Sequence, residues 1–278
     1  MRLKSRIAIC LLSVVFEMSA GHAATAQTKE STASGPTLYQ YLVVQVLKPG
    51  SHDAYIKAEQ ADAQALQQAN VPDYYIGMQS ITGPETVIYD FGHTSFADMV
   101  KVHEAVMANK ALLQKLQSTD ATEGADVASV TRSLYMFRKD LSLNPDVDFP
   151  KMRFMDMLLF HVREGHEEEF EQAVKLYMKA YQTAVPDAYW AMFQKTYGEG
   201  SGDTFLLVTP LKSLADEDGM MGNAKKLRSS VGDAQMEAMM KLGASTIASS
   251  ESNLFYLNPS ISYVPNSWAQ DSPGFWNK

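Results

Sequence analysis

The chain has 278 residues, of which 46% are hydrophobic and 20% charged, a composition typical of folded globular proteins and not of disordered or fibrous ones. Its formal net charge is −8, from 24 basic and 32 acidic residues, and its sequence contains no basic run. We therefore expect no nucleic-acid partner and no docking on anionic lipid.

Residues 1–26 have the three parts of a secretory signal peptide. Arg2, Lys4 and Arg6 precede a short apolar run at 7–16, and small residues follow up to Ala26. An uncleaved membrane anchor is the alternative, but the run is shorter than the roughly 20 apolar residues that span a bilayer. We expect cleavage, a periplasmic or secreted protein, and no stable membrane insertion of the processed chain.

The single cysteine, Cys10, lies inside this apolar run. The processed chain is therefore expected to have no disulfide, no thiolate nucleophile and no cysteine metal ligand. Residues 27–38 form a polar lead-in, which we expect to be flexible.

Short sequence matches recur in the same order in two parts of the remaining chain. Residues 71–73, 95–98 and 127–129 resemble residues 185–187, 213–216 and 247–249. Internal similarity of this kind indicates repeated structural units. It predicts two homologous halves, 39–140 and 153–262, joined by a linker at 141–152 and followed by an aromatic tail at 263–278.

Each half has the same predicted order of elements. The first half reads as a strand at 39–47, a helix at 51–69, a hairpin of 74–82 with 85–92, a helix capped by Ser95 and Asp98, and a closing strand at 134–139. The second half reads as a strand at 154–162, a helix at 166–184, a hairpin of 189–197 with 204–209, a helix capped by Ser213 and Asp216, and a closing strand at 254–258. The order β-α-β-β-α-β is that of the ferredoxin-like motif. The predicted fold class is α+β.

The segments at 46–50, 83–89 and 95–98 resemble those of the dimeric α/β-barrel superfamily, in particular its NIPSNAP and antibiotic-biosynthesis-monooxygenase members. The resemblance covers nearly the whole processed chain and is one of pattern, without a catalytic signature. It implies two tandem ferredoxin-like repeats that form an intrachain dimeric α/β-barrel. Such proteins include cofactor-free monooxygenases, haem-handling enzymes and isomerases, so the fold does not determine the function.

Side chains alternate between the two faces of a strand, and this predicts which of them line an inter-sheet cavity. One face is aliphatic and is expected to pack on the helices: Leu42, Val44 and Val46, with Met157 and Leu159. The other is mixed and is expected to line the cavity: Tyr39, Tyr41, Val43 and Gln45, with Phe154, Asp156, Leu158 and Phe160. Plain sheet-on-sheet packing, with the polar atoms satisfied locally, is the alternative.

Asp156 is the most conspicuous candidate for chemistry, because it interrupts an apolar strand where a charge is costly unless paired. We take Asp156, Asp90 and His93 as candidate acid–base residues. The candidate ligand contacts are Tyr41, Gln45, Tyr75, Tyr89, Arg138, Phe160, Tyr189 and Trp190. Core packing is the alternative for the aromatic residues, and solvation at a strand end is the alternative for Arg138.

We predict no metal site, because no histidine pair has metal-ligand spacing. The methionines at 220–221, 236 and 239–240 could bind copper(I), but flexible core filling explains them more simply. The sequence identifies no cofactor.

Three functions are compatible with the sequence. The first is an exported protein that binds a small apolar or aromatic ligand in a cavity. The others are a cofactor-free or haem-dependent monooxygenase-like enzyme, and a structural or interaction protein whose barrel is filled. A homo-oligomer is compatible with all three, and Trp268, Phe275 and Trp276 in the tail should dock on the body or on a partner subunit.

Overall fold

The computed structural model describes residues 36–198 and 203–277. The predicted signal peptide, residues 27–35 of the predicted lead-in, and residues 199–202 in the predicted second hairpin turn lie outside the described residues.

The described strands form a closed antiparallel barrel in the order β1-β3-β2-β8-β5-β7-β6-β4. They are β1 (Tyr39–Leu47), β2 (Tyr75–Ser80), β3 (Thr86–His93), β4 (Val127–Phe137), β5 (Phe154–Val162), β6 (Ala191–Gly198), β7 (Thr204–Leu211) and β8 (Ile247–Leu257). Pairings β2–β8 and β4–β6 join the first four strands to the last four. The predicted α+β class and closed barrel are confirmed.

The helices before residue 247 lie outside the barrel, and two short helices near the C-terminus pack at one of its ends. They are α1 (His52–Ala69), α2 (Phe96–Ala108), α3 (Lys110–Glu123), α4 (Glu167–Ala184), α5 (Ala215–Met221), α6 (Asn223–Val231), α7 (Asp233–Thr246), α8 (Asn266–Asp271) and α9 (Pro273–Trp276). The predicted Ser95 cap is confirmed, since its side chain accepts a hydrogen bond from the Asp98 backbone N–H at 3.0 Å. None of the described helices is long and apolar enough to cross a membrane.

The closing strands β4 and β8 begin seven residues before the predicted starts at Leu134 and Leu254. Their first halves are rich in small polar residues and lack the apolar alternation on which the prediction relied. They form strands nonetheless, because their backbones pair with β1 and β5.

The predicted assignment of the strand faces was wrong. The barrel interior holds buried apolar side chains from all eight strands, among them Leu42, Ile88, Met157 and Phe255. Val43 instead belongs to a cluster that includes side chains of α1, α2 and α3. The mixed face of β1 therefore packs on helices, and the aliphatic face fills the barrel, as is usual for small barrels.

The C-terminal tail packs against the body, as predicted. Trp276 is buried, and its indole N–H donates to the Pro150 carbonyl at 2.8 Å. The Trp268 ring lies 5.2 Å from that of Phe149 and 5.5 Å from that of Trp276. Because these rings join the cluster inside the barrel, the tail covers one end of the barrel.

Candidate functional site

A cavity of about 1170 Å³ lies between the second half's part of the sheet and the helices that cover it. Strands β5, β6 and β7 form its floor, and helices α4, α5, α6 and α7 form its walls and roof. It lies on the helix side of the sheet and therefore outside the barrel. The predicted inter-sheet position of the cavity is thus corrected.

The cavity exists because the second half's helices do not pack fully onto the sheet. Helix α5 buries none of its residues, and glycines at 219, 222 and 232 interrupt the short helices around it. The buried side chains Met236 and Met239 of α7 pack with Leu227 of α6 and Ala180 of α4, not on the strands. In the first half, large side chains such as Leu66 and Leu116 reach the strands and fill the corresponding space.

Most of the lining is apolar or aromatic. The apolar and aromatic side chains include Leu158, Phe160, Phe170, Val174, Tyr177, Tyr181, Trp190, Met192, Leu207, Met220, Met240 and Ile247. Such linings, with a few well-placed polar groups, are typical of small-molecule sites.

Asp156 provides a carboxylate on the floor of the cavity. It pairs across the antiparallel ladder with Thr209 of β7, which also lines the cavity. Within the described parts of the chain, no hydrogen-bond donor contacts the Asp156 carboxylate. Burial raises the pKa of Asp156, because the surrounding apolar side chains disfavour its charged form.

Two further carboxyl groups come from α5. Asp216 lines the cavity and accepts hydrogen bonds from the backbone N–H groups of Lys212 and Ser213, at 2.9 and 3.1 Å. Glu217 follows it, and Oε1 of Glu217 is enclosed without a hydrogen-bond partner among the described residues. Burial raises the pKa of Glu217, and the charges of Asp156 and Asp216 raise it further.

The aromatic wall is held by hydrogen bonds made away from the cavity's centre. The Trp190 indole N–H donates to the Leu141 carbonyl at 3.0 Å, and the Tyr189 hydroxyl donates to the Pro210 carbonyl at 2.8 Å. The Tyr181 ring meets Trp190 edge-on, with ring centroids 5.2 Å apart. These contacts fix the orientation of the rings that a bound molecule would touch.

Four of the candidate acid–base and ligand-contact residues line this cavity: Asp156, Phe160, Tyr189 and Trp190. The other two predicted acid–base residues do not. Asp90 pairs with Leu42 and so faces the barrel interior, where burial raises its pKa to about 7. The His93 imidazole is buried, 3.7 Å from the Asp98 carboxylate, and burial lowers its pKa more than Asp98 raises it.

The remaining predicted ligand contacts lie elsewhere. Tyr41, Tyr75 and Tyr89 belong to the core beneath α1, and the Tyr89 hydroxyl lies 3.1 Å from that of Tyr55. Gln45 is also buried on that face. Arg138 contacts Asp140, Gln194 and Glu171, so its guanidinium connects the segment after β4 to β6 and α4.

Sequence reasoning missed several lining residues. Thr209 gave no signal in an apolar strand, and Asp216 was interpreted only as a helix-capping residue. Glu217 is next to the lining residue Asp216 but is not itself part of the lining, and it belongs to an acidic segment that gave no indication of burial. Tyr177 and Tyr181 of α4 were also missed, because their contact with a cavity depends on how α7 packs.

Metal or haem ligands are not gathered at the cavity. No group of three or more histidine, cysteine or carboxylate side chains suited to a metal ion occurs among residues 36–198 and 203–277. The five histidines in these ranges all lie outside the lining. The lining therefore offers neither imidazole nor thiolate as an axial haem ligand.

Comparison with known proteins shows similarity of fold. No family model matches the chain, and no curated protein is significantly similar to it in sequence. A crystal structure named "Putative monooxygenase", from Fusobacterium nucleatum subsp. nucleatum ATCC 25586, aligns with a TM-score of 0.51 and 10% identity, covering 80% of this chain and 93% of the other. An anthrone oxidase-like protein aligns with a TM-score of 0.51 and 10% identity, covering 81% and 93%. These similarities support a dimeric α/β-barrel fold.

Proposed function

We propose that this is an exported protein that binds a small apolar or aromatic molecule in the cavity of its second half. The cavity of about 1170 Å³ is the observation that carries the proposal. Ligand sites commonly measure about 300–1000 Å³ and combine an apolar lining with few polar groups. This cavity has such a lining and is slightly larger than that range, so it has room for a polycyclic molecule.

The proposal also interprets the chain as two tandem ferredoxin-like repeats. The strand order is β4-β1-β3-β2 in the first half and β8-β5-β7-β6 in the second, which is the same order by position in each half. The sequence matches between the halves support the same interpretation. The two repeats then have different roles. Tyr41 packs in the core of the first repeat, whereas its equivalent in the second, Asp156, faces the cavity.

Export rests on the sequence of the N-terminus. The basic, apolar and small-residue parts of residues 1–26 support a cleaved signal peptide and a periplasmic or secreted location. Detection of a processed chain in the periplasm or medium, by mass spectrometry of its N-terminus, tests this part. An intact N-terminus on cytoplasmic protein would contradict it.

A monooxygenase-like enzyme is the second candidate, and Asp156 is the observation that favours it. A carboxylate with a raised pKa in an apolar cavity is suited to act as a general base. Two structures of similar fold are named "Putative monooxygenase" and "anthrone oxidase-like protein". Oxygen uptake with anthrone as substrate, lost in Asp156→Asn, would support this candidate.

The haem-dependent form of that candidate lacks support from the lining, which holds no histidine among the described residues. A titration with haemin followed by absorbance tests it. We expect no sharp Soret band of a ligated haem.

The test of the binding function is a titration with Nile red, a neutral apolar dye. We expect saturable binding with one dye per chain. Gly243 lines the cavity, and a Cβ added there meets no atom within 4 Å, so Gly243→Leu should narrow the cavity and weaken binding. Gly274→Leu, at another open position outside the lining, is the control and should bind normally. Absence of saturable binding to the unmodified protein would contradict the proposal.

A further inference from the structure

Carboxyl groups at one end of the cavity indicate the charge of the ligand. Asp156 reaches the cavity from the sheet and Asp216 from α5, and Glu217 is close enough for both of them to affect it. No lysine or arginine forms an ion pair with any of the three in the part of the chain that the structure describes. Asp216 is stabilised by the backbone N–H groups of Lys212 and Ser213, so Asp156 and Glu217 are the two carboxyl groups left for a partner from outside the chain to balance.

A second observation is independent of the carboxyl groups. Thr209 is only 6% exposed, and it lines the cavity directly across the ladder from Asp156. Its hydroxyl has no hydrogen-bond partner among the described residues. Buried hydroxyls are usually hydrogen-bonded, so a polar group of the ligand is the expected partner.

The cavity also has two lysines, Lys212 and Lys226, but both are exposed. The Lys226 ammonium group donates to the Asn223 side-chain oxygen at 3.3 Å. These lysines lie at the solvent-exposed rim, whereas Asp156 and Thr209 lie on the floor. The charge sensed by a molecule at the floor is thus negative.

We propose that the ligand is an organic cation, a protonated amine carried on an apolar aromatic body. Its ammonium group would donate hydrogen bonds to the Asp156 carboxylate and the Thr209 hydroxyl, and the nearby carboxyl group of Glu217 would add to the attraction. Its aromatic body would lie against Tyr181 and Trp190. An anionic ligand of the same shape would be repelled, so the carboxyl groups also give specificity. This inference rests on the proposed ligand cavity and adds the charge of the ligand.

Three fluorescent probes that share one body test the inference. They are 1-pyrenemethylamine, 1-pyrenemethanol and 1-pyrenecarboxylate, which are cationic, neutral and anionic at neutral pH. We expect the amine to bind at least about tenfold more tightly than the alcohol, and the carboxylate to bind most weakly. Equal binding of amine and alcohol, or tighter binding of the carboxylate, would overturn the inference while the cavity function stands. If none of the probes binds, both proposals fail.

Variants separate the site from general attraction of a cation to an acidic protein. Asp156→Asn and Glu217→Gln should each weaken amine binding about fivefold or more and leave alcohol binding nearly unchanged. Asp218→Asn removes an exposed charge on α5, the helix that carries Glu217. It is the matched control, for which we expect little change in amine binding. Circular dichroism verifies that each variant is folded. A loss in Asp218→Asn equal to that in Asp156→Asn would overturn the site assignment.

Discussion

Asp156 and Thr209 face each other on adjacent antiparallel strands, and both side chains line the same cavity. Neither has a side-chain hydrogen-bond partner among the described residues. Two polar side chains in one cross-strand pair on an otherwise apolar floor contribute little to folding, because their burial is not compensated by a hydrogen bond. Their position is better explained by contact with a ligand.

The first prediction concerns the stability of Asp156→Asn. An acid in a buried ion pair would cost about 3–5 kcal/mol to replace, because its partner would be left uncompensated. Asp156 has no such partner in the described chain, so we expect its replacement to change the free energy of unfolding by less than about 1 kcal/mol at neutral pH. Urea denaturation measures this, and a loss of several kcal/mol would reveal a structural ion pair.

The second prediction concerns Asp73, which is 3% exposed and whose pKa burial raises from 3.8 to about 7. Between these values the folded chain keeps a proton that the unfolded chain has lost. The free energy of unfolding therefore falls as the pH rises through this window, by up to about 1.4 kcal/mol per pH unit from this group.

Asp73→Asn removes this dependence. The variant should gain stability relative to the parent between pH 5 and pH 8, as followed by urea denaturation at each pH. Asp146→Asn, at an exposed position, is the control and should follow the parent. A constant difference between Asp73→Asn and the parent at all pH values would contradict the prediction.

The third prediction concerns the tail. Trp276→Ala removes a buried indole and its hydrogen bond to Pro150, so we expect a loss of about 3–5 kcal/mol of stability. Tyr197→Ala, at a side chain that is 65% exposed, is the control and should have a small effect. Deleting residues 263–278 should lower the melting temperature, and an unchanged melting curve would mean that the tail does not stabilise the barrel.

The fourth prediction concerns the junction between the two halves. A Cβ on Gly77 of β2 would lie 2.6 Å from both the carbonyl oxygen and Cγ1 of Ile261, which follows β8. Gly77→Ala should therefore destabilise the protein by about 1–3 kcal/mol through overpacking. Gly243→Ala, in an open helical position, should instead stabilise it by up to about 1 kcal/mol. Equal effects of the two substitutions would contradict this packing.

The strands and main helices could be predicted because they depend on local patterns. Apolar alternation in β1, the proline after α4 and the Ser95 cap are all visible in the sequence. Which face of β1 points into the barrel could not be predicted in this way. Both of its faces are buried, one by the barrel interior and one by helices, so alternation alone does not distinguish inside from outside.

The site could be predicted only where a residue contrasts with its neighbours. Asp156 stands out as a charge in an apolar strand, and it does line the cavity. The cavity itself arises because Met236 and Met239 pack among helices and leave the sheet uncovered. This packing is determined by the tertiary structure and leaves no local signal in the sequence, so Glu217 and Thr209 were missed.

The central claim is that the second half holds a ligand between its strands and helices and not inside the barrel. A crystal structure of the protein with bound 1-pyrenemethylamine tests this most directly. We predict that the pyrene lies against Tyr181 and Trp190, with its amine at the Asp156 carboxylate. Pyrene found inside the barrel beside Asp90, or only on the surface, would contradict the account.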